Sequence, residues 1–127
     1  VVLHHALLAW EKWDFWNQLI GFENRNFRYK EGIDLNVTVA DKDHTITKQM
    51  GDFDITDEGY VLHGEHDGQG TVLLTTKHDD AMEQVAWARE QGKSRVVCLT
   101  LGHDNLAWTN AGFQDMLTRS IAWASGE

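Results

Sequence analysis

Val1-Val2-Leu3-His4-His5-Ala6-Leu7-Leu8 opens the chain on an apolar run that breaks at a histidine pair. Beyond it, Trp13, Trp16 and Ile20 recur at helical spacing, joined by Leu8 and Leu19. This predicts the end of a buried strand at residues 1–3, a tight junction, and an amphipathic helix over residues 7–20 stopped by Gly21. The same grammar returns near the other end, where residues 95–101 form an apolar strand running into Gly102-His103-Asp104. Asn110 then supplies an N-cap for a helix with a stripe of Phe113, Met116, Leu117, Ile121 and Trp123. Strands and helices are interleaved with helices at both ends, which predicts an α/β layer fold.

Between these ends the pattern is β-rich. Residues 23–32 are polar with interspersed Phe27 and Tyr29, a surface loop. Leu35, Val37 and Val39 alternate with polar residues in a half-buried strand ending at Asp41, and residues 43–51 are a polar excursion. Phe53 and Ile55 alternate next, and Asp57-Glu58-Gly59-Tyr60 leads into Val61-Leu62. Residues 63–70 read as a loop, residues 71–76 as a short strand, and residues 85–88 and 95–101 as hairpin arms around a five-residue loop, 90–94.

At 127 residues the chain holds one core. Its 42% apolar and 24% charged composition is that of a folded domain. Eleven basic against 20 acidic residues give a net charge of -9, which repels phosphate backbones and anionic headgroups, so neither nucleic acid nor a membrane is expected as a partner. No apolar stretch approaches the roughly 20 residues of a spanning helix. The single cysteine, Cys98, allows no internal disulfide and leans the reading towards the cytoplasm, with the compartment left open because a signal region would precede residue 1. Proline is absent, so turns rely on Gly, Asn and Asp. The abrupt apolar start reads as a strand cut into, the C-terminal part of a larger unit.

Of seven histidines, His4, His5 and His103 fall where strands end, the crevice side of open α/β sheets. If the two strand ends converge, His4 or His5 with His103 and a carboxylate such as Glu58 make a two-histidine, one-carboxylate set suited to zinc or another divalent metal. The alternative is that these histidines are hydrogen-bonded residues orienting loops. His63-Gly64-Glu65-His66-Asp67 looks like a metal loop but equally like a solvated turn, and His44 and His78 read as surface residues beside aspartates. Cys98 lies mid-strand, an inert buried thiol. No GxSxG, P-loop or GxGxxG occurs. Six tryptophans in an acidic chain suit a neutral polyol or carbohydrate ligand. Trp10 and Trp108 sit near the crevice ends as candidate substrate contacts, whereas Trp13, Trp16 and Trp123 read as core.

The motifs Val1-Val2-Leu3-His4-His5-Ala6, Asp43-His44-Thr45-Ile46-Thr47-Lys48, Thr56-Asp57-Glu58-Gly59-Tyr60, Val85-Ala86-Trp87 with Gly92-Lys93-Ser94-Arg95-Val96, Leu101-Gly102-His103-Asp104 with Ala107-Trp108, and Ile121-Ala122-Trp123-Ala124 together resemble the ThuA-like (trehalose utilisation) family, in order along nearly the whole chain. The resemblance implies a flavodoxin-like, class I glutamine amidotransferase-like three-layer sandwich, of which residues 1–127 are the C-terminal portion with the N-terminal part missing. Half a parallel sheet would then be absent, leaving an exposed edge that favours aggregation or pairing; a homo-oligomer is compatible with this. Where the family reads His-Pro-Ile-Thr this chain has His44-Thr45-Ile46-Thr47, and prolines expected before Val85 and near Phe113 are absent. His4 stands at the elbow where amidotransferase relatives carry cysteine, so glutaminase chemistry is not implied.

What the resemblance does imply is bacterial carbohydrate metabolism, acting on disaccharides or their 3-keto derivatives, with zinc in some members. Carried over by position, His4, Glu58 and His103 would be catalytic residues and metal ligands, and Tyr60 and Asp104 substrate contacts or their supports. The activity expected is that of a metal-dependent hydrolase, lyase or isomerase of keto-glycosides; a non-catalytic carbohydrate-binding module is the alternative.

Overall fold

Residues 1–127 are all described in the computed structural model. In chain order the strands are β1 (Val2–Leu3), β2 (Phe27–Val39), β3 (Phe53–Leu62), β4 (Thr71–Thr75), β5 (Gln84–Gln91) and β6 (Ser94–Leu99). The helices are α1 (Asp14–Ile20), α2 (Asn105–Trp108) and α3 (Ala111–Ser125), and His4–Leu8 forms a 3-10 turn. The sheet is mixed, in the order β1-β6-β5-β4-β2-β3. Parallel pairing is confined to β1 on β6, through Val2 opposite Cys98 and Leu3 opposite Leu99; the other four pairs are antiparallel. No helix is long and apolar enough to cross a membrane.

The near-continuous apolar run of β6 follows from burial on both faces. Val97 and Leu99 join a core of 18 residues that includes Phe113 and Met116 of α3. Val96 and Cys98 join a second core of nine that includes Ile20 of α1, Leu7, Tyr60 and Trp87. Helices therefore cover the sheet on two sides. Asn110 caps α3 as its position predicts, its side chain accepting from the Phe113 amide at 3.1 Å.

Four local expectations are corrected. The helix of residues 7–20 is a 3-10 turn and a short α1, separated at Trp10, which sits at φ +48°. The guanidinium of Arg25, 4% exposed, donates to the carbonyls of Leu7 and Ala9, and so ends the first turn before α-helical bonding can propagate. Trp13, expected in the core, consequently flanks the start of α1 and is 50% exposed. Residues 27–32, expected as loop, are strand: β3 pairs with residues 27–30, residues 31 and 32 form an irregularity in the register, and no residue there is buried, so burial gives no alternation to read. The β5–β6 connection is two residues, because Gln91 pairs with Ser94; Gly92 at φ +61° takes the first position of a tight turn that a side chain would strain. In α3, Ile121 is 55% exposed, since Phe113, Met116 and Ser120 define the inward face and position 121 lies a further 100° round the helix.

The feature that builds the site is the β2–β3 ribbon. β2 joins β4 only at Thr38 and Val39, while the rest of it pairs with β3. The ribbon crosses the carboxyl ends of β1 and β6, where the Tyr60 hydroxyl donates to the His4 carbonyl at 2.6 Å and Asp57 accepts from the Gly102 and His103 amides.

Candidate functional site

His4 follows β1 directly and His103 lies just past the end of β6, so the parallel pairing of those strands delivers both imidazoles to one end of the sheet. The crossing ribbon delivers Glu58 between them. His4 Nε2 lies 3.2 Å from His103 Nδ1 and 3.4 Å from Glu58 Oε1. His5 Nε2 is 3.4 Å from Glu58 Oε1, and His103 Nδ1 is 3.5 Å from Glu58 Oε2. One ligand atom from each of His4, His5, Glu58 and His103 lies within 4.8 Å of all the others. The three residues expected to form the site are brought together, and His5 joins them.

The protonation pattern follows from the partners. His4 Nδ1 is 2.6 Å from the Thr100 carbonyl, which can only accept, so Nδ1 carries the hydrogen and Nε2 turns its lone pair towards the cluster. Burial pushes the His4 pKa below its ordinary value; the Thr100 hydrogen bond opposes this and the neighbouring His5 reinforces it. His4 itself sits at φ +48°, a conformation that L residues adopt only where the surroundings enforce it. Tyr60, 1% exposed, holds the His4 carbonyl; burial raises its pKa, with Glu58 and Asp57 adding to the effect, so it remains a donor.

Glu58 is 3% exposed and its Oε1 has no hydrogen-bond partner. A buried carboxylate oxygen aimed at imidazole lone pairs is costly unless a proton or cation lies between them. Nitrogen and oxygen donors, closely convergent and one of them orphaned, fit a divalent ion of the zinc type, with the Thr100 carbonyl orienting a ligand imidazole from behind.

Asp57 is the residue that the sequence reading missed. It is 2% exposed, and its carboxylate accepts from the amides of Glu58 at 2.8 Å, Gly102 at 2.7 Å and His103 at 3.0 Å. One side chain thus fixes the two segments that carry Glu58 and His103. Its adjacency to Glu58 was the available signal, but two of the three amides it serves are more than forty positions away.

The remaining candidates take other places. Asp104 accepts from the Leu106 amide and caps α2. Trp108 donates from Nε1 to the Gly102 carbonyl at 3.1 Å, bracing the strand end that carries His103, and is 45% exposed. Trp10, 61% exposed, packs edge-on against Trp16 at 4.7 Å. His66 accepts from the Gly68 amide, and Asp67 binds Arg89 through two hydrogen bonds of 3.1 and 2.7 Å, so that loop is a braced turn. His44 and His78 accept from the amides of Ile46 and Asp80. Burial pushes the Cys98 thiol up to about 12, so it is no nucleophile near neutral pH.

The family model described as trehalose utilisation, ThuA, matches residues 1–124. The chain belongs to the ThuA family. A ThuA-like protein of Parabacteroides merdae superposes with a TM-score of 0.84 at 22% identity, covering 98% of this chain and 59% of that one. A ThuA-like protein of Bacteroides uniformis gives 0.74 at 17%, covering 96% and 56%. A β-galactosidase from Bacillus circulans sp. alkalophilus gives 0.58 at 14%, covering 87% of this chain and 15% of that one. At these identities the likeness is one of fold. The ThuA chain described here spans somewhat over half the length of the two ThuA-like structures. No curated protein matches it.

Proposed function

We propose that this ThuA-family chain carries the metal-assisted acid/base site of an enzyme acting on a disaccharide or its keto derivative, on the C-terminal portion of a flavodoxin-like, class I glutamine amidotransferase-like sandwich. The convergence of His4, His5, His103 and Glu58, with Glu58 Oε1 left unpartnered, carries the reading. The family description supplies the carbohydrate.

His4, His103 and Glu58 would hold a divalent ion, zinc by donor type, which when bound supplies Lewis-acid polarisation of a sugar carbonyl or activation of water. The protein's own part is positional and protolytic. Asp57 and Tyr60 lock the backbone on either side of the cluster, so the donors are preorganised. His5, whose side chain is 58% exposed, is the most open of the four and faces an incoming substrate. Its Nε2 would take a proton from the carbon beside a keto group and pass it to the departing oxygen in elimination or eliminative glycoside cleavage, or to the adjacent carbon of the enediol in isomerisation.

Elemental mass spectrometry of the intact protein tests this beside Glu58→Gln and His103→Ala. Near-stoichiometric divalent metal in the wild type, lost in both variants together with turnover of a 3-keto-disaccharide, is expected. Sugar binding with neither metal nor turnover would instead make the chain a carbohydrate-binding module.

A further inference from the structure

On the β2–β3 ribbon Tyr29 stands opposite Tyr60, and Phe27 opposite Leu62. Residues directly opposite in an antiparallel pair share a face, as do residues two apart on one strand. Glu58, Tyr60, Phe27 and Tyr29 therefore lie on the same face of the ribbon, the face that Glu58 and Tyr60 turn towards the histidines. The aromatic surface continues outward from the cluster without a gap. His5 stacks on Tyr60 at 6.4 Å with ring planes 6° apart, Tyr60 lies 6.2 Å from Phe27, and Phe27 lies 6.0 Å from Tyr29. Exposure rises along that path, from 1% at Tyr60 to 42% at Phe27 and 60% at Tyr29.

The intervening cations do not share this face. Arg28 and Lys30 alternate to the other side, where both bind Asp80, at 3.2 and 2.8 Å. What remains beside the cluster is a neutral aromatic strip bearing one free phenol. Such a strip suits the C–H face and hydroxyls of a sugar ring, and offers nothing to a phosphate. Two side chains are also far short of the roughly 800 Å² per partner that a stable protein interface buries.

We infer that Phe27 and Tyr29 form a second subsite beside His5, stacking a neutral glycosyl ring of the substrate whose first ring lies at the histidine cluster. The inference rests on the disaccharide reading above and adds to it which residues hold the second ring and that this outer ring is unphosphorylated.

Calorimetric titration of the intact protein with trehalose and with glucose tests it, using the wild type, Tyr29→Ala, Phe27→Ala/Tyr29→Ala and the aromatic replacement Phe27→Trp/Tyr29→Trp. The wild type should bind trehalose about tenfold more tightly than glucose, a ratio that falls close to one in the double alanine variant, falls partway in Tyr29→Ala and returns in the tryptophan variant. Both alanine positions are exposed, and a melting midpoint close to that of the wild type verifies the fold. A trehalose preference that survives the double alanine substitution, or a wild type that binds the two sugars equally, overturns the subsite and leaves the carbohydrate reading standing. A wild type that binds neither sugar overturns both.

Discussion

Two regions of this chain contain histidines beside acids, and they are built in opposite ways. In residues 63–67 the groups are contiguous but do not converge: His66 Nδ1 accepts from Gly68 while its Nε2 is left unpartnered, Asp67 neutralises the buried Arg89, and His63 and Glu65 are exposed. At the strand ends the groups come from positions 4, 5, 58 and 103, and they are left over. There the local work is done by other atoms, Asp57 for the amides and Thr100 for His4 Nδ1, so the ligand atoms face one another with a carboxylate oxygen unpartnered. A metal-like composition in a loop is thus a weaker indication than donors whose alternative partners have been taken up elsewhere.

Asp57→Ala should break the strand-end region most severely. It leaves three inward amides without an acceptor, and at about 1–3 kcal/mol for each buried donor, with some relaxation, the expected loss is about 4 kcal/mol in chemical denaturation. Metal content should fall with it, since both segments it ties carry ligands. An Asp57→Ala protein that keeps full stability and metal would show that the strand ends hold their geometry without it.

Asp67→Ala tests the other region. Arg89 is 6% exposed at its side chain and would lose its counter-ion, but the Asp67 side chain is 38% exposed and water can enter, so about 2 kcal/mol is expected, below the 3–5 kcal/mol of a fully buried pair. Metal content should not change. Loss of metal in this variant would contradict the division between the two regions.

The sequence exposed one region far more readily than the other. Strand ends at His4 and His103 were legible because β1 and β6 are apolar runs followed closely by a histidine, whereas Glu58, read as part of a junction between short strands and not within the continuous β3, took its place from the family resemblance. The N-terminal part of β2 was not, because residues 27–30 are paired in the sheet but not buried, and hydrophobic periodicity reports burial alone. Trp13 and Trp16 illustrate the converse: their spacing suggests one helical stripe, but the kink at Trp10 places Trp13 outside the helix. That kink depends on Arg25, whose contacts with the turn span sixteen and eighteen positions, a relation no local pattern encodes.

Acid should weaken both regions, and the strand-end region further when an ion is bound. Burial holds His4 and His66 below the ordinary histidine value of 6.5, so folding favours their neutral forms. Above 6.5 that contribution to stability is complete; as pH falls below 6.5 the unfolded chain takes up protons first, and the contribution is lost progressively down to the folded-state values. In metal-free protein, denaturation between pH 8 and 5 should show this decline. Loaded protein should lose more over the same interval, because protons displace the ion from His4 and His103 and remove its mass-action stabilisation as well, about 2.7 kcal/mol at a hundredfold excess over Kd. Identical pH slopes for the loaded and metal-free forms would mean that the ion is not held by imidazoles.

The smallest effect makes the sharpest contrast. His63 and Glu65 are exposed and belong to the stretch that most resembles a metal loop by composition. Their side chains make no hydrogen bond or ion pair within the chain, and they do not converge with other donors, so His63→Ala and Glu65→Ala should each change stability by less than about 0.5 kcal/mol and leave the metal stoichiometry as it was. His5→Ala is the paired measurement, for His5 is also exposed and also lies beside another histidine. What separates them is the Glu58 oxygen 3.4 Å from its ring. If His5→Ala weakens metal retention or turnover while His63→Ala does neither, position relative to that carboxylate, and not exposure or histidine clustering, is what distinguishes a functional imidazole in this fold. If the two variants behave alike, His5 is a surface residue and the site reduces to His4, Glu58 and His103.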